Sequence, residues 1–195
     1  MNPRLPLFFI LLCSTAVQAE PRIATDDLTI IPGQRVGAIC KGMRLFGLRV
    51  TFGYEAVKLC KLDGAEGEQI DGAKLWEGTE RELEILFNPE SSRHEIWTLR
   101  IIGKAWKFQN GLKFGMSIAE VEKLNGAPFT VSGFDWDYGG YCDFTGGALA
   151  DAVSVRFSTT GDTDASLSSD RPIASTNKKL RAAKVEVSDI AVDFR

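Results

Sequence analysis

The sequence has one histidine, His94, and four cysteines among 195 residues. A single imidazole excludes a zinc centre built on several histidines and any His-rich catalytic centre. An excess of positive charge is also missing. The 23 Lys and Arg stand against 26 Asp and Glu, a net charge of −3, so the concentrated positive field that phosphate backbones require is lacking and nucleic acid is not an expected partner. There is no Gly-x-Ser-x-Gly elbow, no phosphate-cradling glycine loop followed by Lys-Ser/Thr and no His-Glu-x-x-His helix. Ser175-Thr176-Asn177-Lys178 matches Ser-x-x-Lys formally, without the companion motifs of penicillin-recognising enzymes. No cofactor is expected. With 44% hydrophobic and 25% charged residues the composition is that of an ordinary globular chain.

The only long apolar run is at the start. Arg4 supplies a short positive region, Leu5 to Cys13 is apolar apart from Pro6, and Val17-Gln18-Ala19 ends in the small residue a signal peptidase tolerates. The reading is a cleaved signal peptide over 1–19, cut after Ala19, and a periplasmic or secreted protein with no transmembrane segment in the mature chain. Leu12 before Cys13 argues against lipidation. Cys40, Cys60 and Cys142 remain in an oxidising compartment. The preferred pairing is Cys40–Cys60, which closes the shortest loop; the alternative is three buried, reduced thiols.

An internal similarity organises the rest. Gly42-Met43 and Gly115-Met116 each open a segment that closes eleven residues later at Gly53 and Gly126. Apolar positions match at Leu45/Ile118 and Leu48/Val121, all at an offset of 73 residues. Ser117-Ile118-Ala119-Glu120 reads as a capping box, and Asn125-Gly126 followed by Pro128 as a helix stop. The first copy lacks the serine cap. After each helix the period changes to two. Leu83, Ile85 and Phe87 alternate with Glu80, Glu82 and Glu84, which read as a solvated, edge-protecting surface. Trp97, Leu99 and Ile101 form another apolar face. In the second half 129–138 and 141–144 flank Gly139-Gly140, a hairpin-type turn. Val153, Val155 and Phe157 point inward, and the last strand, 184–194, changes phase near Ser188-Asp189, which predicts a β-bulge. The polar stretch 159–177 reads as a mobile loop whose Asp162, Asp164, Ser166, Ser168 and Asp170 lack the glycine and closing glutamate of a calcium loop.

The Gly-Met-Ser-x-x-Glu-Val-x-x-Leu-x-Gly-x-Pro stretch at 115–128 resembles the helix signature of BLIP-like modules, the fold of the β-lactamase inhibitor protein and of the SmpA/OmlA small outer-membrane lipoproteins. The resemblance implies an α+β fold of two repeats, each a short helix packed on an about four-stranded antiparallel sheet. The expected organisation is a signal over 1–19, an N-terminal arm over 20–35, a first repeat over 36–106 and a second over 107–195. The motif is a cap, an apolar face and a stop, so it bears on fold and not on chemistry.

The densest unusual stretch is Phe134 to Phe144. In extended backbone Phe134, Trp136 and Tyr138 share one face and Asp135 and Asp137 the other. Asp135, Trp136, Asp137, Tyr138 and Tyr141 are therefore the candidate binding residues, against the alternative that the aromatic face belongs to the core. No catalytic or metal-ligating set assembles, and His94 reads as an exposed turn residue. The expected function is a non-enzymatic, exported module that binds an envelope or extracellular protein. The alternative is an envelope carbohydrate-binding protein or enzyme using the 134–144 hairpin.

Overall fold

The computed structural model describes residues 23–161 and 164–194. The signal peptide expected over 1–19 lies outside the described residues, as does Asp162. The fold is α+β, with mostly antiparallel sheets and few helices. In chain order the strands are β1 (Thr29–Ile31), β2 (Arg35–Val36), β3 (Ile39–Cys40), β4 (Val57–Asp63), β5 (Gln69–Leu75), β6 (Leu83–Phe87), β7 (Ile96–Ile101), β8 (Lys107–Phe108), β9 (Thr130–Ser132), β10 (Cys142–Asp143), β11 (Val153–Thr159), β12 (Pro172–Ala174) and β13 (Val185–Asp193). The α-helices are α1 (Leu45–Phe52), α2 (Ile118–Asn125) and α3 (Lys178–Ala182).

A six-stranded antiparallel sheet, ordered β11-β13-β7-β6-β5-β4, spans both halves of the sequence. Its register aligns Val153, Val192, Leu99, Ile85 and Ala73 in one row across five strands. All five are buried, and they form one core with Leu48 of α1 and Ile118 and Val121 of α2. The next residues along each strand face the other way and align Ser154, Ala191, Arg100, Glu84, Lys74 and Lys58. That second face carries the half-buried polar side chains.

Local signals account for several elements. Ser117 accepts from the Glu120 amide while the Glu120 carboxylate accepts from the Ser117 amide, the complete capping box, and Gly126 ends α2 in the left-handed region at φ 72°. The phase change in β13 is a bulge: Arg156 pairs with Asp189 and Phe157 with Val187, leaving Ser188 unmatched. It keeps Val185 and Val187 on the same buried side as Ile190 and Val192.

Other expectations are corrected. Cys40, Cys60 and Cys142 are all free, so the Cys40–Cys60 bridge is not formed; Cys40 lies on β3 in a separate sheet ordered β3-β2-β1-β8, whereas Cys60 sits on the outermost strand of the large one. The described part of the N-terminal arm, from residue 23, joins that four-stranded sheet through β1, with Ile30 fully buried and β1 running parallel to β8. Glu84 does not guard an edge, because β6 is an interior strand; it is ion-paired with Lys74 and Arg100. Trp97 is half-buried, since a register shift pairs Phe87 with Ile96 and puts Ile96 in the core instead.

The stretch 159–177 is not a plain loop. It contains β12, which pairs with β9 in a three-stranded sheet ordered β10-β9-β12. Leu167, Ile173 and Ser175 are buried. The Ser175 hydroxyl accepts from the Phe129 amide at 3.1 Å and donates to Glu122, which ties the segment to α2.

Candidate functional site

The segment between β9 and β10 is not an extended strand. Asp135 has φ 66°, which breaks the two-residue alternation, so Phe134, Trp136 and Tyr138 do not share a face. Phe134 is buried, while Trp136, Tyr138 and Tyr141 are 38–41% exposed. The loop is held at both ends and in the middle. The Phe134 amide donates to the Leu167 carbonyl at 2.8 Å and the Ser132 amide to the Tyr141 carbonyl at 2.8 Å. The Trp136 indole N–H closes back on the Gly133 carbonyl at 2.8 Å, and Ser168 donates to the Asp135 carboxylate.

Gly140 joins this loop to the large sheet. Its amide donates to the Ser132 carbonyl and its carbonyl accepts from the Phe157 amide, each at 2.9 Å. A Cβ there would lie 2.0 Å from the Phe157 carbonyl oxygen, at φ +82°, so only glycine allows the approach. Beneath it Arg156 of β11 donates to the Gly139 carbonyl at 2.8 Å and lies over the Tyr141 ring, 5.2 Å from its centroid. The guanidinium thus fixes the loop against the polar face of the sheet.

The loop divides that region in two. On one side a hollow of about 400 Å³ is lined by Asp135, Trp136, Arg156 and Asp189. On the other a groove of about 670 Å³ runs over the open face of the six strands, from Asp63 at the end of β4 to Tyr138 and Tyr141. Glu84, Thr98, Arg100, Asp189 and Asp193 form its floor. Of the five residues expected from sequence, Asp137, Tyr138 and Tyr141 belong to the groove and Asp135 and Trp136 to the hollow, with Trp136 and Tyr138 in contact at 5.4 Å between ring centroids. Sequence reading missed Arg156 and Asp189, which line both. Their alternation marks a solvent-facing strand side, but only the pairing of β13 between β7 and β11 brings them under the loop.

The floor is electrostatically uneven. Toward β4 the charges neutralise one another: Lys58 meets Glu77 at 3.0 Å, Lys74 lies within 3.8 Å of Glu77, Glu82 and Glu84, and Arg100 is 3.4 Å from Glu84. Burial works against the Lys74 ammonium, yet the three carboxylates around it leave its pKa raised. Toward β13 the Asp193 carboxylate accepts from Thr98 at 2.7 Å and Asp189 from Ser188 at 2.7 Å. Burial pushes the Cys142 thiol up, so it stays protonated and poorly nucleophilic. His94 is exposed in its turn, edge-on to Phe87. Among the described residues no group of three or more His, Cys, Asp or Glu could hold a metal ion, and no helix is long and apolar enough to cross a membrane.

No family model, no curated protein and no solved structure matches the chain.

Proposed function

We propose that the chain is an exported, non-enzymatic protein-binding module that docks a segment of an envelope or extracellular protein in the groove between the 133–141 loop and the open face of the six-stranded sheet. The carrying observation is the groove itself: a rigid strand floor, walled by exposed Tyr138 and Tyr141 on a loop that Arg156 and Gly140 pin in place. Aromatic side chains at the margin of a preformed concave surface supply large contact area at small entropic cost. The two-unit BLIP-like reading is part of this proposal. It is supported by α1 and α2, eight residues each and 73 residues apart, although the first unit contributes four strands to the large sheet and the second only two. The signal-like segment over 1–19 supports placement in the periplasm or outside the cell.

The test is in-cell photocrosslinking from position 138 in the native host, followed by mass spectrometry. The expected result is a specific protein adduct that is lost when Tyr141 is changed to Ala. Binding of a glycan on an array, sensitive to Trp136→Ala and without any protein adduct, would replace this reading with carbohydrate recognition.

A further inference from the structure

We propose that the segment received by the groove is basic: an extended stretch of a partner protein whose Lys or Arg side chains are met by Asp63, Asp137 and Asp189. This inference rests on the protein-binding reading above and specifies its partner.

The groove holds more negative charge than its own cations balance. Five carboxylates, Asp63, Glu84, Asp137, Asp189 and Asp193, line the groove against two guanidinium groups, Arg100 and Arg156. Of the two, only Arg100 is ion-paired among the described residues. Arg100 donates to the Asp63 carbonyl at 2.8 Å and reaches Glu84 at 3.4 Å; Arg156 is held by the neutral Gly139 carbonyl and Tyr141 ring, which leave its charge in place opposite Asp189 in the β11–β13 register. Asp63, Asp137 and Asp189 enter no ion pair among the described residues. Asp63 accepts from Gln69 at 2.7 Å and Asp189 from the Ser188 hydroxyl at 2.7 Å, and both contacts leave the negative charge in place. Five carboxylates against two guanidinium groups still leave the lining net negative, so an acidic segment would be repelled and a basic one attracted.

The aromatic wall points the same way. Tyr138 and Tyr141 line the groove beside these carboxylates, and a cation passing over a tyrosine ring gains attraction from its quadrupole. Arg156 over Tyr141 shows that this wall already accepts a guanidinium from below. The groove crosses all six strands, about 24 Å at the usual strand spacing, which fits about seven residues of extended chain and not a single small cation.

The full chain is titrated by fluorescence anisotropy with three labelled peptides, of alternating Lys and Thr, Gln and Thr, and Glu and Thr. The Lys peptide should bind at low salt, weaken as salt is raised, and weaken about tenfold or more in Asp137→Asn/Asp189→Asn. Asp71→Asn, a change at an exposed ion pair outside the groove, should leave binding unchanged. Thermal unfolding checks the double variant first; if it fails to fold, Asp137→Asn on the exposed loop carries the test alone, with a smaller loss in the same direction. Equal binding of the Gln or Glu peptide, or wild-type binding by the neutralised variant, overturns the proposal. So does spermidine binding with the same carboxylate dependence when the Lys peptide fails to bind, which would mark a small-cation site.

The crosslinking experiment separates this inference from the reading beneath it. A protein adduct at position 138 through a segment without Lys or Arg refutes the basic partner and keeps the binding module. No protein adduct at all refutes both.

Discussion

Helix α2 begins with Ser117 and Glu120 capping each other's orphan amides, buries Ile118 and Val121, and turns Glu120 and Lys123 to solvent. Helix α1 occupies the corresponding place 73 residues earlier and lacks these end signals: Arg44 offers no side-chain cap, its first turn holds no acid, and Phe46 and Val50 stand 72% and 66% exposed. The amide of Leu45 is satisfied instead by the His94 carbonyl at 3.1 Å, from the turn before β7. One helix is specified by its own residues. The other is held by what surrounds it: the burial of Leu48, the packing of Leu45 and Phe52 on the core, and the contact from a distant turn.

Four changes would break or sharpen this contrast. The largest effect is expected from Leu48→Ala, which removes the one fully buried side chain of α1 and should destabilise the protein by about 2–5 kcal/mol in urea unfolding; a loss below about 1 kcal/mol would mean that packing does not hold α1. Next is Asn125→Ala at the end of α2. The buried amide of Asn125 accepts from Leu149 at 3.1 Å and donates to the Ala127 carbonyl at 2.9 Å, and its loss should cost about 1–3 kcal/mol and speed hydrogen exchange at Leu149. Ser117→Ala should cost about 1 kcal/mol, whereas Arg44→Ala should change nothing through capping. Comparing exchange at the first-turn amides of the two helices checks that difference.

The smallest effect is on pH dependence. Hydrogen bonds from the Ser117 amide and hydroxyl hold the Glu120 carboxyl below its ordinary range, and the Ser175 hydroxyl followed by Arg181 does the same for Glu122. Depressed folded values stabilise the native state above the unfolded value near 4.5, and that contribution is lost as pH falls through the folded values. Acidification from pH 5 toward pH 3, on the order of the carboxylate range, should therefore lower amide protection around α2 before it does around α1. Equal loss at both helices would remove the distinction.

What was legible in the sequence follows the same division. The capping box, the stop at Gly126 and the bulge at Ser188 are local patterns whose physics is contained in a few neighbouring residues. Strand β5 was missed because Gly72 interrupts its pattern, and the reason for that glycine lies elsewhere: a Cβ would come 2.7 Å from the Ile85 carbonyl oxygen on β6. In 159–177 a few apolar anchors, Leu167 and Ile173, sit in a polar background, and only their burial, with Ile173 paired to Val131 on β9, distinguishes them from loop residues. Of the candidate site, the exposed loop members Asp137, Tyr138 and Tyr141 could be named from composition. Its floor could not, because Arg100, Asp189 and Arg156 become neighbours only through strand order.

The placement of β13 has a consequence for the order of folding. Strands β4 to β7 pair as a simple meander and need nothing beyond Ile101. The other edge of β7 waits for Ala191, Val192 and Asp193, and Thr98 meets Asp193 across 95 residues of chain. Until β13 docks, β7 presents an unpaired edge with the aggregation hazard such edges carry, and closure of so long a loop is slow. A chain that already holds the whole 133–141 loop has β4 to β7 but not β13, so the part of the groove floor made by Asp189 and Asp193 is completed only by the final strand.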